Sequence, residues 1–292
     1  VIMKKALIVN IVVLIGLVSF SLKAQDLADI FEDDVESKEF IEATFKTTRV
    51  INGHSIMSPP KSELIFIISH RFGALNGGLY ELFGIDQSSI RFGFEYGLTD
   101  RLSIGVGRSS YLKNYDAFIK YALIRQSKGE KSFPLSLSWF SSSSINSLKW
   151  EDPNRENLFS SRISYTHQLL IARKFSNDLS IQIMPSYVHK NLVATQQDQN
   201  DIFAIGAGGR YKLTNRLSVN AEYYYLLPGE TADNSVNSLS LGVDIETGGH
   251  VFQLHLTNSL GMFEDAFITQ TSENWLKGGI HFGFNVTRVF SL

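Results

Sequence analysis

The chain has no cysteine. That excludes disulfide frameworks, zinc–thiolate centres, anchoring through a lipidated N-terminal cysteine and thiol catalysis. An excess of one charge is missing too: 27 Lys+Arg against 29 Asp+Glu leave −2, so no basic footprint points to nucleic acid. Past residue 24 no apolar run approaches the ~18 residues of a membrane-spanning helix. The seven histidines (54, 70, 167, 189, 250, 255 and 281) contain no His-x₃-His or similar ligand spacing. Gly-x-Ser-x-Gly is absent as well. The expectation is no metal, no cofactor and no enzyme.

What is present begins at the N-terminus. Lys4 and Lys5 precede the apolar run Ala6–Leu22, and Ser21–Ala24 leads into an acidic stretch. A positive, then apolar, then small-residue pattern reads as a secretory signal peptide cleaved after Ala24, with an uncleaved anchor as the alternative. Three lysines leave with it, so 24 basic residues face 29 acidic ones, a balance of −5. Residues 25–61 form an acidic lead-in, with one candidate strand at Ala43–Ile51 and a breaker at Pro59–Pro60.

From residue 62 to 292 the chain alternates. Twelve segments lie at roughly 62–72, 87–98, 101–111, 114–125, 133–144, 158–173, 178–189, 201–213, 216–227, 237–247, 250–259 and 276–290. Most exceed the ~5–6 residues usual in soluble sheets and match the ~9–11 that a tilted strand needs to cross a bilayer. Short turns (Thr99–Arg101, Ser176–Asp178, Thr214–Arg216) alternate with long polar loops. This predicts an all-β fold: a membrane-spanning antiparallel up-and-down β-barrel of twelve strands. Its place is the outer membrane of a Gram-negative cell, with both termini periplasmic.

Side chains on a strand alternate between faces. In Ser88–Ser110, Ile90, Phe92, Phe94, Leu102, Ile104 and Val106 share the apolar parity. Arg91 and Glu95 share the other with four glycines. An open sheet is not allowed in hydrocarbon, so strand 12 must close onto strand 1. Tyr96, Tyr111, Trp139, Tyr223, Tyr225 and Phe290 fall near strand ends, as interfacial girdles do. A soluble sandwich is the alternative; its strands would be shorter.

The strings FKTTRVINGHS, SHRFG, YELFG, YGLTDRLSIGVGRS and YDAFIKYALIRQ resemble a Bacteroidetes family of outer-membrane β-barrel proteins known only as a domain of unknown function. The resemblance covers about residues 40–290. It implies a barrel in the outer membrane and carries no substrate, cofactor or catalytic residue.

The polar parity nominates a lumen lining or constriction: Arg71, Arg91, Glu95, Lys120, Arg210, Lys212, Glu222, Asp244, His255 and His281. Mixed signs in a narrow barrel either pair with one another or select a solute. Arg49, Asn52 and His54 are candidates for a plug entering the lumen; a periplasmic turn at Asn52–Gly53 is the plainer reading. Leu79–Ile85, apolar within a loop, suggests a short helix or a fold back into the barrel mouth. His167 shares the parity of apolar neighbours and either faces lipid or is turned inward by a bulge.

The leading expectation is a narrow channel or transport component for small polar solutes. The second is a non-conducting barrel with a structural or partner-binding role, and the third a membrane-face hydrolase. Expected partners are outer-membrane lipid and lipopolysaccharide, the barrel-assembly machinery during biogenesis, and a periplasmic or surface protein.

Overall fold

A computed structural model describes residues 38–129, 131–150, 152–193, 195–229 and 235–291. The expected signal peptide and most of the acidic lead-in lie outside the described residues. The chain divides into two units. In the smaller, Glu39–Phe40 pairs antiparallel with Ser127–Lys128, Glu39 opposite Lys128.

The larger unit is a closed antiparallel barrel. Its strands are β1 (Glu63–Ala74), β2 (Ser88–Gly97), β3 (Leu102–Ser109), β4 (Tyr115–Ile124), β5 (Ser136–Ile145) and β6 (Ile163–Lys174). They continue as β7 (Leu179–Lys190), β8 (Asp201–Lys212), β9 (Leu217–Leu226), β10 (Ser238–Thr247), β11 (His250–Thr257) and β12 (His281–Ser291). Each strand pairs with its sequence neighbours, and β12 closes on β1 with Phe284 opposite His70 and Ser291 opposite Glu63. Closure gives every strand a partner on both sides, which is how a barrel meets its backbone hydrogen bonds in lipid.

Three of the short turns share one device. Thr99 Oγ1 accepts from the amides of Arg101 (3.2 Å) and Leu102 (2.9 Å). Ser176 Oγ does so for Asp178 and Leu179, and Thr214 Oγ1 for Arg216 and Leu217. A hydroxyl that satisfies the amides two and three residues on fixes a tight turn locally.

The outer face carries the expected apolar parity. Phe94 stands opposite Val106 and Tyr96 opposite Ile104, while the inward positions pair Glu95 with Gly105. His167 faces out, in unbroken register with β5 and without a bulge.

Two segments depart from the sequence reading. Ala43–Ile51 forms no strand; it bends, and Arg49 bridges antiparallel to His54. The loop between β11 and β12, read as polar and outside, turns inward: a short helix α1 (Glu264–Thr269) is buried at all six positions. Leu75–Gly84 forms 3₁₀ turns interrupted at Gly78 and at Leu82–Phe83, and Leu79 (79% exposed) and Tyr80 (94%) point to the surroundings and not into the barrel mouth.

The inward face is not uniformly polar. Phe118, Phe140, Leu170, Met184, Val188, Ile202 and Tyr224, from β4 to β9, form an apolar cluster that Phe267 and Ile268 of α1 complete. The charged inward residues face a different occupant.

Candidate functional site: the occluded lumen

That occupant is the hairpin 47–55. Val50 N–H donates to Gly53 O (2.8 Å) and Ser55 N–H to Thr48 O (2.9 Å), closing a tight reversal. Thr47 Oγ1 donates to Arg49 O (2.9 Å) and Ser55 Oγ to Thr47 O (2.6 Å). Every residue from Thr47 to Ser55 is buried.

The wall holds the hairpin chiefly by its backbone. Glu222 on β9 accepts the amides of Ile51 (3.2 Å), Asn52 (3.1 Å) and Gly53 (3.0 Å). Three consecutive N–H groups around one carboxylate make an anion nest, here built around the protein's own side chain. The carbonyls are met as well: Gln253 donates to Val50 O (3.2 Å), Asn285 to Ile51 O (2.9 Å) and Gln182 to His54 O (2.7 Å). Lys120 donates to Ser55 O (3.3 Å) and Met57 O. Gly53 is required here by close approach: a Cβ would lie 2.2 Å from the Tyr224 hydroxyl.

The side chains of the tip interlock with the same wall. Arg49 pairs with Glu95 of β2 (3.3 Å) and with Glu264 of α1 (3.0 Å), so it ties hairpin, barrel and helix together. Asn52 donates to Ser240 Oγ (2.8 Å) and accepts from Arg71. His54 lies between the rings of Phe118 and Phe140, each 4.4 Å away between centroids, and neither of its nitrogens has a hydrogen-bond partner. Burial first, then the charges of Arg49, Lys120 and Arg91, hold its imidazole well below 6.5. It is therefore neutral, and its 3.6 Å approach to Glu264 is not an ion pair. Burial also pushes the Glu264 carboxyl up, against the pull of Arg49.

The other candidates divide. Arg91 does not meet Glu95; it pairs with Asp116, its Nε 3.0 Å from Oδ1, and lies over Gly107. Arg210 reaches Ser218 (3.1 Å) and Ala43 O (3.3 Å), and Ser218 reaches Asp244 (3.4 Å), which also accepts from Gln253 (2.9 Å). Lys212 is the last residue of β8 and only half-buried. His255 stands opposite Gly283 and His281 opposite Thr257, so the two are offset and not paired across the strands. His281 Nδ1 lies 2.9 Å from Phe72 O. Among the described residues, no group of three or more His, Cys, Asp or Glu could hold a metal ion.

Sequence reasoning missed Asp116 and Glu264. Asp116 was accessible, since Tyr115 and Ala117 fix its inward parity. Glu264 was not, because a loop has no parity to read.

Beside the hairpin tip the space is small. The gap among Arg49, Asn52, Arg71, Arg91, Met262 and Asn285 has a volume of about 10 Å³, room for one water. A wider cavity of about 340 Å³ opens at the short-turn end, lined by Lys46, Thr48, Met57, Glu63, Glu246 and His250. Lys46 and Glu246 form an ion pair across it.

The model of the membrane bound beta barrel domain (DUF5777) matches residues 45–290, and the chain belongs to that family. No curated protein matches it in sequence. Among solved structures, the COG4313 outer membrane channel from Pseudomonas putida F1 is 14% identical, with 80% of this chain and 97% of that one covered and a TM-score of 0.49. The NanC porin is 9% identical over 78% and 99% of the two chains, with a TM-score of 0.47. The KdgM porin is 10% identical over 79% and 99%, at 0.45.

Proposed function

We propose that this membrane-bound barrel is a conduit for small polar solutes in a Gram-negative outer membrane, held shut by its own hairpin 47–55. Both termini then lie on the periplasmic side, where the hairpin enters. The carrying observation is how the two lumen occupants are held. Helix α1 sits on a dry apolar cluster and belongs to the permanent core. The hairpin touches that cluster as well, through His54 and Gly53, but its backbone is held by polar groups, with Glu222, Lys120, Gln182, Gln253 and Asn285 each bonded to it. Water can take over those bonds when the hairpin leaves, whereas it cannot replace the contacts of Phe267. A charged wall that buried its ion pairs for good would gain little over an apolar one. Solute selection would fall to Arg71, Lys120, Arg91 and Glu95 once the tip is withdrawn.

Planar-bilayer recording tests this directly. The full barrel is expected to be almost silent, and replacement of residues 47–55 by a glycine–serine linker to give sustained, selective conductance. A linker variant that folds and stays silent overturns the reading. It would favour the second one, a non-conducting barrel that binds a partner. The exposed apolar rim of Leu79, Tyr80, Leu82, Phe83 and Ile85 is what supports that alternative.

A further inference from the structure

The outward face of the barrel is apolar along most strands, but one sector of β5–β8 is not. Adjacent in one cross-strand row stand Ser143, Tyr165, His189 and Asp201. In the next row, one step deeper into the wall, stand Ser141, His167 and Tyr187, with Phe203 beyond. Polar groups facing lipid are costly and call for a reason.

These groups are arranged, not scattered. Ser141 Oγ and His167 Nδ1 are 2.9 Å apart. The His167 imidazole lies between the rings of Trp139 and Tyr187, nearly parallel to both at 10° and 11°. Tyr187 donates its hydroxyl to Asp201 Oδ1 (2.7 Å), and His189 Nδ1 lies 2.7 Å from the same oxygen. The upper row is thus a polar shelf at the long-loop rim. Below it, a hydroxyl is hydrogen-bonded to a base on an open surface. A serine beside a histidine is the elementary nucleophile–base pair.

We infer that Ser141 and His167 hydrolyse acyl esters of membrane lipid at the outer wall. In a membrane-bound barrel an outward face meets lipid. His167 is the fifth residue of β6 counted from the long-loop end. That places it roughly 10 Å below the strand start, where lipid ester groups meet the acyl chains. Ser141 donates to Nδ1, which requires the tautomer protonated on Nε2. Ser141 Oγ attacks the ester carbonyl and its proton passes to Nδ1. The ester C–O bond breaks, and the alcohol fragment leaves with that proton. Water then attacks the acyl-serine, returning a proton to Oγ through His167, and a fatty acid departs. Trp139 and Tyr187 flank the imidazole at ring-centroid distances of 6.5 and 6.1 Å. The shelf of His189 and Asp201 receives the head group. None of this requires the lumen to open.

The full barrel, refolded into phosphatidylethanolamine–phosphatidylglycerol vesicles, is expected to release fatty acid and to react with a fluorophosphonate at Ser141, mapped by mass spectrometry. Ser141→Ala should abolish both. His167→Gln should slow release by roughly 10²- to 10⁴-fold, as loss of a general base does. Ser88→Ala, exposed on β2 and outside this sector, should leave both intact. Folding of each variant is read from heat-modifiable electrophoretic mobility. Folded wild type that releases no more than empty vesicles and takes no label at Ser141 overturns the assignment. So does undiminished release by folded Ser141→Ala.

Discussion

Replacement of Glu222 by Gln perturbs the hairpin seat with the least change of shape. The carboxylate accepts three amides, one through Oε1 (Asn52, 3.1 Å) and two through Oε2 (Ile51, 3.2 Å; Gly53, 3.0 Å). Gln keeps one acceptor oxygen and turns an NH₂ toward the remaining donors. In its better orientation it still loses the Asn52 bond; in the other it loses two. One bond to a charged acceptor contributes about 1.5–3 kcal/mol. At about 1.4 kcal/mol per tenfold, the seated-to-released ratio falls roughly 10- to 150-fold. Relief of the buried carboxylate's desolvation works the other way, but Arg71 then loses its nearby countercharge, which restores part of the cost. Single-channel recording reads the ratio as open probability. A rise of that size is expected, with unit conductance close to that of the linker variant. Open probability unchanged in a folded Glu222→Gln barrel would refute the idea that the nest holds the gate.

Two further outcomes follow from the same contacts. Released, His54 takes up a proton near 6.5; seated, it resists down to a much lower pH. Seating therefore weakens as pH falls from about 6.5, and nothing from His54 changes above that. Glu264, whose carboxyl is pushed up, opposes this on acidification. The comparison of wild type with His54→Leu between pH 7.5 and 5 isolates the histidine: the leucine variant should open less on acidification, and equal pH responses would exclude His54. Phe267→Ala empties part of the dry cluster and should cost about 3–5 kcal/mol. A lowered denaturant midpoint without the open-probability rise of Glu222→Gln is expected.

The barrel was legible in the sequence because period-two alternation survives any interior. Ile90, Phe92 and Phe94 must face lipid whatever fills the lumen. The short turns were legible because Thr99, Ser176 and Thr214 act within three residues of themselves. The apolar half of the lumen was not. Phe140, Leu170 and Met184 sit on the inward parity and make sense only once α1 folds over them. That packing depends on contacts far apart in sequence, and no local pattern carries it. The segment Arg49–His54 stood out by its polar residues and Asn-Gly turn, but its partners are set by register. Glu95 meets Arg49 and not Arg91, because Asp116 already holds Arg91 across Gly107.

The absence of cysteine permits one decisive measurement. Asn52 and Ser240 touch across the hairpin–wall junction at 2.8 Å. Cysteines placed at both, in the Glu222→Gln background, can be joined by a short cleavable thiol crosslinker and followed in a bilayer. A gating hairpin predicts openings before crosslinking, silence after it, and openings again on cleavage. Conductance that persists with the hairpin clamped to β10 would contradict it.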